Sequence, residues 1–109
     1  MAADDFYRAV QAERRSINLL RSWLTLDQLR QFDANGSFIV RGGDSGGRYR
    51  INYPRAPYNV DELGDDGEVV LRLCFVPEEI YAPGDIMLAQ KLSLEADELS
   101  ARSIANRRI

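Results

Sequence analysis

The sequence predicts an α+β fold, with two N-terminal helices and one C-terminal helix packed on a small antiparallel sheet of about four strands. Three patterns carry this prediction. Apolar residues recur at helical spacing over residues 3–24, and they alternate along residues 38–51 and 68–76 as in strands that bury one face. Another helical pattern follows Pro83 and Gly84.

Composition restricts both the architecture and the chemistry. The chain has 109 residues, 45% of them apolar, which suits one domain with a modest core. No apolar run approaches the roughly 18 residues of a membrane span. One cysteine forms no internal disulfide, so we expect a soluble protein in a reducing, cytoplasmic setting. Because histidine is absent, the usual ligands of zinc, copper and haem are missing. Carboxylates could still bind Mg²⁺ or Ca²⁺, but Asp61, Glu62, Asp65 and Asp66 do not match an EF-hand loop and are interpreted as a solvated acidic turn, so we expect no metal and no cofactor. The expected parts of the single domain 1–109 are a helical part (1–36), antiparallel strands (37–76) and a C-terminal helix (85–105).

The N-terminal part reads as two helices. The expected core stripe of the first helix consists of Phe6, Val10, Ile17, Leu20 and Leu24. We also expect Trp23 to anchor the core. Thr25 and Gln28 fit a capping box that begins a second, short helix. Gly36, after Asn35, supplies the left-handed residue that ends it.

A β-hairpin follows the helices. If Val40 pairs with Tyr49, then Phe38 pairs with Ile51, and these four apolar side chains share one face. The same register places Arg41 directly opposite Arg48, with Ile39 and Arg50 beside them on the other face. The tip, residues 42–47, is longer than a two-residue turn, so we expect it to be mobile.

The remaining elements complete the sheet and add a helix. A short strand is expected over residues 58–60, and a turn over Gly64–Gly67. Residues 68–76 are apolar on both faces, which is typical of a strand inside a sheet. Asp85 is the expected N-cap of the last helix. The expected core side chains of that helix are Met87, Leu88, Leu92, Leu94 and Leu99.

The hairpin tip contains GDSGG, the string that surrounds the nucleophile of trypsin-like proteases. A serine hydroxyl needs an adjacent base, usually histidine, and this chain has none. The only lysine, Lys91, lies far along the chain in an expected helix. We therefore interpret residues 43–47 as a chain reversal, with no catalytic role for Ser45. Cys74 is interpreted as a small core residue.

Arginine is the residue type most suggestive of binding. It provides thirteen of the fourteen basic residues, nine of them within residues 1–55. Its planar guanidinium group binds carboxylates or phosphates in a bidentate fork. Opposed like charges such as Arg41 and Arg48 cost up to about 1 kcal/mol unless anions lie nearby. The protein's own acids, for example Asp44 or Glu68, could supply the anion, and so could a partner. The candidate binding residues are Arg41, Arg48, Arg50, Arg55, Asp44 and Ser45.

Single-stranded nucleic acid is an alternative ligand. Arg41, Arg48, Arg50 and Arg55 are interleaved with tyrosines at positions 49, 53 and 58, and single-strand binders combine cations with stacking rings. Against this, the isoelectric point is about 4.9 and the net charge is −3.

From Phe38 onward the chain resembles the SWIM-type zinc module. The residues that follow the order of that module are Phe38–Val40, Asp44–Gly46, Tyr49–Ile51, Leu73–Phe75 and the helix from Asp85. Only Cys74 matches a zinc ligand, and Met87 stands where the module has histidine. The resemblance implies a metal-free relative that binds protein or nucleic acid without catalysis. Gly84–Leu92 also resembles segments of small bacterial and phage proteins.

The sequence thus predicts a small non-enzymatic module that binds a protein partner through an Arg-rich sheet face and the hairpin tip. A structural assembly subunit, such as a virion component whose first helix packs against a neighbouring copy, is an alternative. Single-stranded nucleic-acid binding is another. Neither membrane insertion nor catalysis is expected.

Overall fold

The computed structural model describes residues 2–76 and 82–109. The elements in those ranges are helices α1 (Ala2–Trp23), α2 (Leu26–Asn35), α3 (Pro83–Ala96) and α4 (Glu98–Ile104), and strands β1 (Ser37–Arg41), β2 (Arg48–Asn52), β3 (Val60–Leu63), β4 (Val69–Cys74) and β5 (Asn106–Arg108). This confirms the predicted α+β class. None of the helices within these ranges is long and apolar enough to cross a membrane.

The five strands form one antiparallel sheet in the order β1-β2-β3-β4-β5. The predicted hairpin register is confirmed, because Val40 pairs with Tyr49, and Arg41 pairs with Arg48. The sheet has one strand more than predicted, since residues 106–108 return to pair with β4. The sequence indicates only a fraying helix end there. With β5 in place, β4 lies inside the sheet, as its apolar faces predict.

The core lies between one face of the sheet and the helices. Phe38, Tyr49, Ile51 and Leu73 on this face are at most 1% exposed. Helix α3 crosses α1 closely at Gly84, whose amide donates to the Ser16 hydroxyl at 3.1 Å. A side chain at position 84 would overlap the backbone of residues 16–17, so this crossing requires glycine.

Helix α2 begins and ends as predicted, and it also protects an edge of the sheet. Thr25 and Gln28 form the capping box, and Gly36 ends the helix with φ 72°. The Gln28 side-chain amide then donates to the carbonyl of Ile39, while the Ile39 amide donates to Gln31. These two side chains satisfy the outward backbone groups of Ile39, in the middle of edge strand β1, which would otherwise be open to another strand.

Several predicted core positions are wrong. Trp23 is 55% exposed and Phe6 is 73% exposed, because the N-terminal turns of α1 and the last turn before α2 project beyond the packed layer. Leu92 and Leu99 are also exposed, whereas Met87 and Leu94 are fully buried. Leu99 lies in a separate helix, α4, so a single stripe does not extend to it. Within α3 the buried side contains Met87, Gln90, Lys91 and Leu94, and Leu92 lies outside it.

The boundaries of the C-terminal helices differ from the prediction for a local reason. Asp97 has φ −152° and ψ 56°, outside the helical region, and so it separates α3 from α4. Helix α3 begins two residues before Asp85, because Pro83 occupies its first turn and Ala82 is the N-cap. The break turns α4 toward the hairpin tip.

Candidate functional site

The face of the sheet opposite the core is rich in arginine. Alternation along the paired strands puts the following side chains on it: Ser37, Ile39, Arg41, Arg48, Arg50, Asn52, Asp61, Leu63, Val70, Arg72, Cys74, Asn106 and Arg108. We call this set the outer face. Its charged residues are five arginines and one aspartate, which leaves a surplus of positive charge.

Two pairs of arginines stand directly opposite each other on the outer face. Arg41 pairs with Arg48 across β1 and β2, and Arg72 pairs with Arg108 across β4 and β5. Directly opposed like charges are destabilising in antiparallel sheets. The fold therefore tolerates the same unfavourable pairing at both ends of the sheet.

Asp61 lies on β3, between the two arginine pairs, and its carboxylate already bonds to neighbouring side chains of the protein. It is 6% exposed. One carboxylate oxygen accepts from Arg50 Nη2 at 3.0 Å and from Asn52 at 2.9 Å, and the other lies 3.9 Å from Arg72 Nε. Arg50 is thus neutralised within the protein, as the sequence allowed, but by Asp61 and not by the expected Asp44 or Glu68.

The other arginines of the outer face find weaker partners. Arg41 donates to the Gly46 carbonyl at 3.2 Å, and Arg48 donates to the carbonyls of Gly64 and Asp65. The guanidinium group of Arg108 lies 5.9 Å from the centre of the Tyr58 ring. Over residues 2–76 and 82–109, Asp61 is the only carboxylate in ion-pair contact with an outer-face arginine.

The hairpin tip is held in place and does not have the expected freedom. The carboxylate of Glu98, at the start of α4, accepts from the backbone amides of Asp44 and Ser45 at 3.0 and 2.7 Å. It also accepts from the Ser45 hydroxyl at 2.7 Å and from the Tyr49 hydroxyl at 2.5 Å. Four hydrogen bonds on a side chain that is 1% exposed anchor the tip to the helix.

The glycines of the tip allow this close approach. A Cβ atom at Gly42 would overlap the Glu98 carboxylate, and one at Gly43 would overlap the carbonyl of Glu95. Asp44 completes the junction, since its carboxylate accepts from the amide of Leu99 at 3.1 Å. Asp44 therefore caps the first turn of α4 from the hairpin tip, which is 55 residues away in the sequence.

The titration of this cluster reflects its hydrogen bonds. Burial by itself raises the pKa of Glu98, but hydrogen bonds from Tyr49, Ser45 and the amide of Asp44 outweigh it and lower the pKa to about 2. Burial, together with the hydrogen bond to Glu98, raises the pKa of Tyr49 to about 12. Arg102 then donates to the Tyr49 oxygen at 3.0 Å and extends the cluster.

Ser45 thus lies next to a carboxylate, which the sequence analysis did not anticipate. A carboxylate with so low a pKa is a weak base, so it does not activate the hydroxyl as a nucleophile. The Ser45 hydroxyl also accepts from the amide of Gly47 at 2.9 Å, an arrangement that stabilises the turn. The GDSGG segment is therefore a loop that hydrogen bonds to Glu98 hold against α4.

The predicted binding residues fall into three groups. Arg41, Arg48 and Arg50 are brought together on the outer face, whereas Asp44 and Ser45 are used in the contact with α4. Arg55 lies in the connection after β2, at the other end of that strand from Arg48, with its guanidinium group 5.5 Å from the Tyr53 ring centre.

Neither the second arginine pair nor the acid between the two pairs was predicted from the sequence. The position of Arg108 was not predicted, because a strand of three residues at positions 106–108 is too short to show the alternation that identifies a strand. Arg72 was visible as the polar position in an otherwise apolar strand. The partner of Asp61 follows from the register of β2 and β3, which no short-range pattern fixes.

No protein-family model, curated protein or solved structure matches the chain. The resemblance to the SWIM-type module stays a prediction, and the candidate function rests on geometry and charge alone.

Proposed function

We propose that the protein is a small non-enzymatic interaction module whose outer face binds an acidic segment of a protein partner. The observation that supports this is the presence of two arginine pairs, Arg41 with Arg48 and Arg72 with Arg108. The one carboxylate between them, that of Asp61, already forms an ion pair with Arg50. A partner's carboxylates would relieve both like-charge contacts at once. Binding energy would then come from charges that the folded protein leaves unbalanced.

The dimensions of the outer face suit a short segment. Five strands at about 4.8 Å spacing span roughly 20 Å, which about seven extended residues would cross. Such a segment would meet Arg48 near one end and Arg72 toward the other. Specificity would come from a segment whose acidic side chains are spaced so that one reaches Arg48 while another reaches Arg72.

Nucleic acid suits the same surface less well. Of the three tyrosines near the arginines, Tyr49 is 1% exposed and faces the core, and the Tyr53 hydroxyl bonds to Glu13. Neither is placed to stack on bases from the outer face. The acidic turn with Asp65 and Asp66 adjoins Arg48 and would repel a long polyanion, while a short acidic segment could avoid it.

The test uses fluorescence anisotropy with a labelled peptide of about seven residues in which Glu alternates with Ser, the length that crosses the sheet when extended. The double variant Arg41→Gln/Arg48→Gln removes one opposed pair. Arg50 is kept, because its loss would leave buried Asp61 without its main partner. The matched control, Arg14→Gln/Arg15→Gln, removes the same charge from the exposed side of α1.

We expect the peptide to bind the wild type, more weakly as salt rises. Two lost ion pairs should reduce affinity about tenfold in the outer-face variant, against no more than about twofold in the control. Equal losses in both variants would mean non-specific attraction and would contradict the proposal. An oligothymidine that binds more tightly than the peptide, with the same arginine dependence, would assign the face to nucleic acid.

Self-assembly is a second candidate, favoured by one observation. Phe6 and Tyr7, near the start of α1, are 73% and 63% exposed, an unusual position for two adjacent aromatic residues. A neighbouring copy packed on α1 would cover them. Light scattering over a concentration series should then show a rising mass that Phe6→Ser abolishes, and a constant monomer mass would exclude this candidate.

A further inference from the structure

A groove beside the second arginine pair has the features of a ligand site. It has a cavity volume of about 500 Å³, within the range of pockets that hold small molecules. Its lining residues are Ala56, Pro57, Tyr58, Val69, Arg72, Arg108 and Ile109. One part of the lining is apolar and aromatic, and the other carries two guanidinium groups.

The backbone of the groove is strained at its aromatic residue. Tyr58 has φ 64°, the only positive φ outside glycine in the described residues. A bulky residue adopts this conformation only when its surroundings enforce it, and such residues concentrate at binding sites.

The enforcement comes from the next residue. Buried Asn59 donates to Gln90 at 2.8 Å and accepts from it at 2.9 Å, and it also exchanges hydrogen bonds with Asn52 on β2. With Asn59 fixed by hydrogen bonds to Gln90 and Asn52, the backbone at Tyr58 is held in the left-handed region, and the Tyr58 ring centre lies 5.9 Å from the Arg108 guanidinium group. The structure therefore maintains a strained aromatic side chain next to two cations.

Within residues 2–76 and 82–109, the one acid in ion-pair contact with an arginine of the groove is Asp61, which Arg72 shares with Arg50. Arg72 is 58% exposed and lies 3.9 Å from an Asp61 oxygen, while Asp61 already bonds to Arg50. By contrast, a cavity of about 530 Å³ along α1 contains Glu13 next to Arg14, so its charges compensate each other. The Tyr58 groove is the one that would attract an anion.

We propose that this groove binds a phosphate monoester carried on a planar ring, as in a phosphotyrosyl side chain of the partner. Two opposed guanidinium groups match the charge of nearly −2 on a phosphate monoester better than the −1 of a carboxylate. Tyr58 and Pro57 would contact the ring that carries the phosphate. The inference rests on the proposed function, since it assigns one anchoring group of the partner to one end of the outer face.

The test is a nuclear magnetic resonance titration of the full chain with phenyl phosphate, inorganic phosphate and benzoate. We expect saturable shifts at Arg72, Arg108 and Tyr58, with phenyl phosphate binding at least about tenfold more tightly than benzoate. In Arg72→Gln/Arg108→Gln these shifts should be lost. The matched control is Arg41→Gln/Arg48→Gln, which should bind phenyl phosphate as the wild type does.

A second variant isolates the ring. Tyr58→Gly suits the left-handed backbone, so it should fold, and it should bring the affinity for phenyl phosphate down to that for inorganic phosphate. A phosphotyrosine peptide that binds more tightly than adenosine monophosphate would support the partner assignment, and the reverse order would overturn it. Absent shifts, or equal losses in both arginine variants, would overturn the site. Binding of the Glu-Ser peptide would be unaffected by that result, so the two proposals fail separately.

Discussion

Replacement of Glu98 by glutamine should destabilise the protein strongly, because that carboxylate joins the hairpin tip to α4. The lowering of its pKa from 4.5 to about 2 corresponds to roughly 3 kcal/mol of folding free energy, at about 1.4 kcal/mol per unit. Glutamine keeps the shape but presents an amide group to Tyr49 and Ser45. Both hydroxyls already accept a hydrogen bond, so neither is well placed to accept another.

The pH dependence gives this prediction a sign. Because folding lowers the pKa of Glu98, its contribution is complete above about pH 4.5 and is lost as the pH falls toward about 2. Urea denaturation followed by circular dichroism should show Glu98→Gln about 3 kcal/mol less stable than the wild type at neutral pH. The difference should shrink as the pH is lowered through that window.

The matched control is Glu68→Gln, which removes an exposed carboxylate from the turn before β4 and should change stability by less than about 0.5 kcal/mol. A Glu98→Gln variant as stable as this control, or one whose loss of stability did not vary with pH, would contradict the prediction. Either result would mean that the tip does not depend on the Glu98 carboxylate.

Three other changes test separate parts of the fold by thermal or urea denaturation. Gly42→Ala should lower the free energy of unfolding by more than roughly 1 kcal/mol, because the added Cβ would overlap the Glu98 carboxylate. The control is Gly67→Ala, where φ is 84° but nothing lies within 4 Å, and for which a loss of roughly 1 kcal/mol is expected. Equal losses would contradict the close approach of Gly42 to Glu98. Gln28→Ala should lose about 1–2 kcal/mol and aggregate more readily, because the capping box is broken and the Ile39 carbonyl is uncovered; unchanged stability would contradict this role. Trp23→Ser should change stability by less than about 0.5 kcal/mol, since the ring is exposed. A large loss of stability would mean that the Trp23 ring packs in the core.

Local signals in the sequence predict much of the fold. The capping box at Thr25 and the left-handed Gly36 are encoded within a few residues, and both are confirmed. The hairpin register is also local, since only one alignment puts Val40 and Tyr49 on the same apolar face. These features depend on neighbours along the chain, which a sequence displays directly.

What the sequence does not reveal depends on distant contacts. Glu98 lies 53 residues from Ser45, and nothing near either residue indicates that they meet. The glycines at 42 and 43 signal a flexible turn, yet they serve close packing against α4. Trp23 was wrongly predicted to be buried. Helical periodicity identifies which side of a helix is apolar, but it does not show how far along the helix other elements pack against that side.

Recognition of an acidic segment by the outer face is tested by a titration of the arginine side-chain Nε–H resonances with the Glu-Ser peptide. We expect shifts at both opposed pairs, Arg41 with Arg48 and Arg72 with Arg108, and none at Arg14 on α1. Shifts spread evenly over all exposed arginines, or confined to α1, would contradict recognition by the outer face.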